Sequence, residues 1–486
     1  MRPFDSDVDS TIASLEAQII ELETTEAQLL PAVRQLEICQ ESLRQARASL
    51  AHVQNQKMPV SRLPDDVLAL IFEAGTRPDL QFCDYWDKPE KLPFPILVSH
   101  VSHTWREVAI RDPFLWTSIY IISSKSHDLG LMYMNRSKNC SLDIRYTCDI
   151  EKMLDFDPSI LQLQRCRHLI ISCHWYHSAF HICQCLEREN VPRLVSFEID
   201  MDYANDGYED DFPPNNYKLF GGGAPVLSSV EIGGISLRSC KPPISALTDL
   251  TLKTSALAAE MTFAEFFDAF ADIAPTLITL RLEGIILRVG IGEHCFHTNF
   301  PSLTSLVIHC PDYLSERQDD GDYISYLWDC IKVPALESLT LYWMDGEQFH
   351  TTMDILRRQH VASTAKGFGG LKSLYLLDLD VDDHADDLTL ACPNLSNLTL
   401  RGDATAPVLK FILEADQVAP SNNNTDTGLL WPNLHALSVD SFEDDILRAL
   451  VLSRKALGLP LLKLCMRCPS GSRDWYRQHV KTVGSF

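Results

Sequence analysis

No stretch of this 486-residue chain reaches the ~18 uninterrupted apolar residues that a membrane span requires. The first residues, Met1 to Asp7, are acidic and carry no apolar signal region. The expected location is therefore cytoplasmic and/or nuclear. Positive charge is scarce: 42 Lys and Arg stand against 66 Asp and Glu, a net charge of −24. A chain this acidic is repelled by polyanions, so neither nucleic acid nor a membrane surface is expected as a partner. The 15 cysteines are scattered without a framework and read as reduced thiols. What remains is ordinary for a folded protein: 45% hydrophobic and 22% charged residues, and a length sufficient for two or three domains with a substantial core.

Motifs of catalysis are also missing. There is no His-Glu-x-x-His and no Gly-x-Ser-x-Gly. Gly221-Gly222-Gly223 is not followed by a Lys-Ser/Thr pair, so it is no phosphate-binding loop. Cys173, His174, His177, His181, Cys183 and Cys185 crowd one stretch, but their spacing matches no zinc pattern. Cys465-Met466-Arg467-Cys468 has no second pair and reads as structural thiols. The acidic run from Asp200 to Asp211 has Ala204 where a calcium loop needs a ligand and Asn205 where it needs Gly. No nucleophile, base and oxyanion donor assemble. The chain is expected to be no enzyme and to need no metal or cofactor.

Two periodicities are present. From Thr11 to Val53, Leu15, Leu22, Leu29, Leu36, Leu43 and Leu50 recur every seven residues, beside Ile12, Ile19, Glu26, Val33, Gln40 and Arg47. This heptad pattern predicts a long helix, with a kink or break at Pro31. Pairing into a coiled-coil homodimer is one reading; a helix or helical hairpin folding back on the chain is the other. No basic region adjoins the heptads, which excludes a DNA-binding zipper.

Farther along, a phrase Leu-x-x-Leu-x-Leu returns with conservative swaps, often after Pro. It appears as Leu194-x-x-Phe197-x-Ile199, Leu227-x-x-Val230-x-Ile232, Leu247-x-x-Leu250-x-Leu252, Leu277-x-x-Leu280-x-Leu282 and Leu303-x-x-Leu306-x-Ile308. It continues at Leu336, Leu371, Leu395, Leu434 and Leu461, with weaker forms near Leu142 and Leu169. Each phrase suits a short strand turning alternate apolar residues inward. Helical faces lie between: Phe263, Phe266, Phe267 and Phe270 behind a Thr262 cap, then Ile324, Leu327, Trp328 and Ile331, then Ile446, Leu447, Leu450 and Val451. Polar loops at Tyr203 to Gly223 and Ala419 to Gly428 interrupt the series. Strand, loop and helix at intervals of roughly 20 to 40 residues resemble an irregular leucine-rich-repeat solenoid. The spacing varies, and no consistent Asn or Cys ladder follows the strands.

Between heptads and repeats stands a third pattern, Met58 to Ile122. It contains Leu63-Pro64-x-x-Val67-Leu68-x-x-Ile71-Phe72, then Val101-Ser102-x-x-Trp105-Arg106, then Pro113-x-Leu115-Trp116. Pro64 suits a helix start, and Asp65 and Asp66 suit its first turn. These residues resemble an F-box, and among F-boxes the expanded family of mushroom-forming (basidiomycete) fungi. Ser102 stands where the wider family often has Cys, and the segment Glu73 to Leu92 is longer than the usual turn.

The expected organisation is α/β: an N-terminal helix or coiled coil over 1–57, a three-helix F-box-like domain over 58–122, and a degenerate leucine-rich-repeat solenoid over 123–486. The resemblance implies the substrate-recognition subunit of an SCF-type cullin-RING ubiquitin ligase, partnered by a Skp-type adaptor, a cullin and an unknown protein substrate. By that resemblance Leu63, Pro64, Leu68, Ile71, Val101 and Trp105 build or present the adaptor surface. A repeat scaffold that joins no ligase is the alternative.

Strand periodicity also predicts a binding face. Residues alternating with the buried leucines point to the other side of the sheet. Along the chain they run from acidic (Glu198, Asp200, Glu231, Asp249), through Arg281, Glu283, His309, Tyr342 and Tyr375, to Arg401, Lys463 and Arg467, with Asp440 the exception. Arg281, His309, Tyr342, Tyr375 and Arg401 are the expected target contacts, Tyr and Arg being enriched at interface hot spots.

Overall fold

The computed structural model describes residues 5–76, 92–122, 127–148, 156–201, 216–237, 239–243, 246–253, 261–287, 297–310, 323–362, 370–381, 385–418, 430–467 and 473–485. Most of the long segment after Glu73, both polar loops in large part, and Cys468 fall outside them. The chain divides into two compact units, Met1–Trp116 and Thr117–Phe486.

The first unit opens with a single helix, α1 (Asp5–Gln56), which runs through Pro31. A proline removes one backbone donor, and here the helix continues past it, so the chain makes neither a break nor a hairpin. Every side chain described along α1 is exposed. A turn at Pro59–Arg62 leads into α2 (Asp65–Gly75); α3 (Phe94–Ser99), α4 (His103–Arg111) and a turn at Pro113–Trp116 complete the unit. Pro64 occupies the N-cap of α2, with Asp65 and Asp66 in the first turn. Leu68, Phe72, Val98, Val108, Ala109, Leu115 and Trp116 are buried.

The second unit is built on a 14-stranded sheet. Its strands are β1 (Ser118–Ile122), β2 (Leu142–Thr147), β3 (Cys166–Cys173), β4 (Ser196–Met201), β5 (Ser229–Gly233), β6 (Asp249–Lys253) and β7 (Thr279–Glu283). Then follow β8 (Ser305–His309), β9 (Ser338–Tyr342), β10 (Ser373–Leu377), β11 (Asn397–Arg401), β12 (Ala436–Val439), β13 (Lys463–Met466) and β14 (Thr482–Ser485). They lie in chain order, each parallel to the next. Residues 118–122 thus belong to the sheet, as its edge strand beside β2, and not to the helical unit in which their sequence position had placed them.

Every recurring phrase lands on a strand, and its leucines face one side. In β7, Leu280 and Leu282 are buried while Thr279, Arg281 and Glu283 are half-buried. The first leucine of each phrase, such as Leu277 or Leu303, sits just before the strand and is buried too. Strand entry repeats one hydrogen-bond device. A carbonyl of one strand's approach accepts two successive N–H groups from the next: Ile278 O takes Thr304 at 2.9 Å and Ser305 at 3.1 Å, and Thr304 O takes Glu337 and Ser338 at 2.9 Å each. Backbone donors that would otherwise be buried unpaired are thereby satisfied.

Helices fill the connections: α5 (His127–Arg136), α6 (Tyr176–Leu186), α7 (Phe263–Ala271), α8 (Tyr323–Cys330), α9 (Gly346–Ala362), α10 (Asp387–Ala391), α11 (Thr405–Val418), α12 (Asp444–Ala456) and α13 (Arg473–His479). Thr262 and Glu265 form a reciprocal capping box on α7, which buries Phe266 and Phe270. Ile331 lies one residue beyond α8, in a two-residue strand.

Candidate binding surfaces

In the helical unit the motif residues divide between inside and outside. Leu68 is 2% exposed and belongs to the core, so among the six motif residues it builds the unit and does not present a surface. Its i+4 neighbour Phe72 shares that inner face and meets Trp105, ring centroids 5.0 Å apart. Trp105 is half-buried. Ser102 caps α4, its Oγ accepting the Trp105 N–H at 3.2 Å, a role for which its hydroxyl is well suited. Arg106 Nε donates to Ser99 O at 2.9 Å, and Trp116 Nε1 to Ala109 O at 2.7 Å. Leu63 is half-buried and its N–H donates to Val60 O at 3.2 Å.

Pro64, Ile71 and Val101 are on the outside, Ile71 47% and Val101 52% exposed. Leu70, 63% exposed, Leu97 and Phe114 are also large, apolar and exposed, and sequence reading did not select them. In α3, Leu97 stands about 100° around the helix from buried Val98, and its side chain is exposed.

On the sheet, the five expected target contacts fall on five consecutive strands, β7 to β11, spanning about 19 Å at the usual strand spacing. His309 lies opposite Tyr342 in register, and Thr340 opposite Tyr375. The His309 ring packs edge-on to Tyr342 at 5.5 Å and to Trp343 at 5.0 Å. Trp343 is 43% exposed and has φ +50°. It occupies the position just after a strand that Gly234, Gly284 and Gly402 occupy elsewhere, all likewise at positive φ. The alternation read from sequence ends at the residue after the third leucine, here Tyr342, and so misses Trp343.

The late part of the face is less basic than its strand residues suggest. Arg401 Nε lies 3.2 Å from Asp378 Oδ2 and 3.8 Å from Asp440 Oδ2. Gly402 N–H donates to Asp440 Oδ1 at 3.1 Å. Gly402 has φ +68°, and a Cβ there would collide with the Asp378 carboxylate. The acids flanking Arg401 come from just beyond strand ends; the alternation of the repeats includes Asp440 but misses Asp378.

The early part is acidic with embedded cations. Lys253 pairs with Glu231, and Arg281 with Glu283. Burial is the largest influence on Lys253 and opposes its charge, but the hydrogen bond to Glu231 and the negative charges of Glu231, Glu283 and Asp200 together outweigh it and raise its pKa. Glu198 has no ion pair or side-chain hydrogen bond among the described residues. Burial first, then the neighbouring Glu231, push its pKa up to about 7, against the pull of Lys253.

Among the described residues no group of three or more His, Cys, Asp or Glu side chains could hold a metal ion, and the described cysteines are free. Cys148 and Cys173 sulfurs are 3.6 Å apart. No described helix is long and apolar enough to cross a membrane. No protein-family model matches the chain, and no curated protein matches it significantly.

Proposed function

We propose that the chain is the substrate-recognition subunit of an SCF-type ubiquitin ligase, with residues 58–116 acting as an F-box that docks a Skp-type adaptor and the repeats acting as a leucine-rich solenoid that holds a target protein. The observation that carries this reading is a helical unit that is packed inside and apolar outside. Its core of Leu68, Phe72, Val108 and Trp116 is closed, yet Leu70, Ile71, Leu97 and Val101 remain exposed. Four large exposed apolar side chains on so small a unit fit a surface that a partner covers. Two of them, Ile71 and Val101, are positions that the F-box resemblance assigns to the adaptor.

The repeats support the other half. Fourteen parallel strands in chain order align half-exposed residues into one broad face, as stacked repeats do in binding proteins. On it His309, Tyr342 and Trp343 offer aromatic surface. Such a subunit makes no bond itself. It raises the effective concentration of a target near a ubiquitin-loaded enzyme.

Affinity purification of the tagged chain followed by mass spectrometry tests the proposal. A Skp-type adaptor and a cullin are expected among the captured proteins. Captured targets without adaptor or cullin would favour the scaffold alternative.

A further inference from the structure

We infer that α1 pairs with α1 of a second copy of this chain, and that the two helices run antiparallel. The helix is continuous for 52 residues, and its six heptad leucines are all exposed, as are Ile12, Ile19 and Val33. At 1.5 Å per residue the helix is about 78 Å long, and a seam about 10 Å wide along it covers about 800 Å² per copy, the area a stable interface takes.

Charge and seam composition choose the occupant and its direction. Between residues 10 and 30 the helix carries Glu16, Glu21, Glu23 and Glu26 and no Lys or Arg; between 32 and 51 it carries Arg34, Arg44 and Arg47 against Glu37 and Glu41. Opposed copies place each acidic half beside a cationic half. Parallel copies would instead bring Glu26 against Glu26 and Arg47 against Arg47 in the seam, like charges facing each other. The antiparallel register that overlaps almost the whole helix sets Ile12 against Leu50 of the second copy, Ile19 against Leu43, Glu26 against Leu36 and Val33 against Leu29. Every polar seam residue then faces a leucine. The long stem of Arg47 can lie along Leu15 with its charge in water, within a turn of Glu16.

The full-length chain tests this directly. Light scattering should give a dimer, and deletion of residues 1–55 a monomer. For orientation, Glu26→Cys and Leu36→Cys are made separately in a Cys39→Ser background and treated with a short bis-maleimide, alone and mixed. Antiparallel pairing gives a covalent dimer in the mixture only, containing one chain of each kind. A monomeric parent, or covalent dimers of the Glu26→Cys chain by itself, would overturn the inference. The Cys39→Ser chain alone sets the background.

Discussion

A tryptophan in the left-handed backbone region sits where its Cβ crowds a carbonyl, at a cost of roughly 1–2 kcal/mol. Trp343 does so with φ +50°, at a position where three other repeats place glycine. A tolerated outlier on an exposed face points to use. Trp343→Gly and Trp343→Ala both delete the ring, but only alanine keeps the strain. The glycine variant should therefore be more stable in urea by about 1 kcal/mol, while both lose target capture to a similar degree. Equal stability would mean that the backbone relaxes and that no strain is held there.

Glu198 is the second residue-scale case. Its pKa rises from an ordinary 4.5 to about 7 in the folded chain, because burial and Glu231 disfavour its charge. Between these values the folded state holds a proton that the unfolded state has released. Stability is thus intact below about pH 4.5 and falls as pH rises towards 7. Glu198→Gln cannot ionise and should escape that fall. Urea unfolding should find it more stable than the parent at pH 8, by up to about 3 kcal/mol, and no more stable at pH 4. The same gain at both pH values would refer the effect to packing.

At the scale of elements, one buried ion pair joins two helices. Arg454 of α12 and Asp416 of α11 are both fully buried, Nε 2.7 Å from Oδ2. Arg454 also donates to Trp431 O at 3.0 Å and Leu430 O at 2.9 Å. Removing one partner leaves an uncompensated charge inside, so Arg454→Met should cost about 3–5 kcal/mol, and adding Asp416→Leu should restore most of it. A double variant as unstable as the single one in urea would show that the carbonyl contacts dominate.

That pair also marks how far elements were legible. Arg454 continues the buried stripe of Leu447, Leu450 and Val451 at helical spacing, and Asp416 continues that of Leu409 and Ile412. The spacing is present in the sequence, but a charged residue reads as solvent-facing until its partner is known. The strands were far easier, because a two-residue alternation set off by a third leucine survives even as Leu194-x-x-Phe197-x-Ile199. β1 and β14 escaped notice since Ile119 and Ile121 lack the leading leucine and Thr482-Val483-Gly484-Ser485 has no leucine at all. On α2, Leu68, Ile71 and Phe72 have the spacing of one helical face, yet packing buries Leu68 and Phe72 and leaves Ile71 outside. Which edge of a helical stripe faces the core is decided by neighbouring helices, and sequence spacing does not contain that.

At the scale of the whole molecule, the division into Met1–Trp116 and Thr117–Phe486 makes the two proposed binding functions separable. Ile71→Asp with Val101→Asp alters only exposed side chains of the first unit. Tyr342→Ala, Tyr375→Ala and Arg401→Ala together alter only the sheet face of the second. The triple variant, folded by circular dichroism, should lose target capture; if it retains every partner of the parent, the sheet face is not where targets bind.

The most direct test of the account mixes the purified full-length chain with a purified Skp-type adaptor and measures complex formation by light scattering. The expected result is one adaptor bound per chain, binding abolished by Ile71→Asp with Val101→Asp, and binding unchanged by the triple substitution on the sheet face. No complex with the parent chain, or a complex that survives the two aspartates, would contradict it.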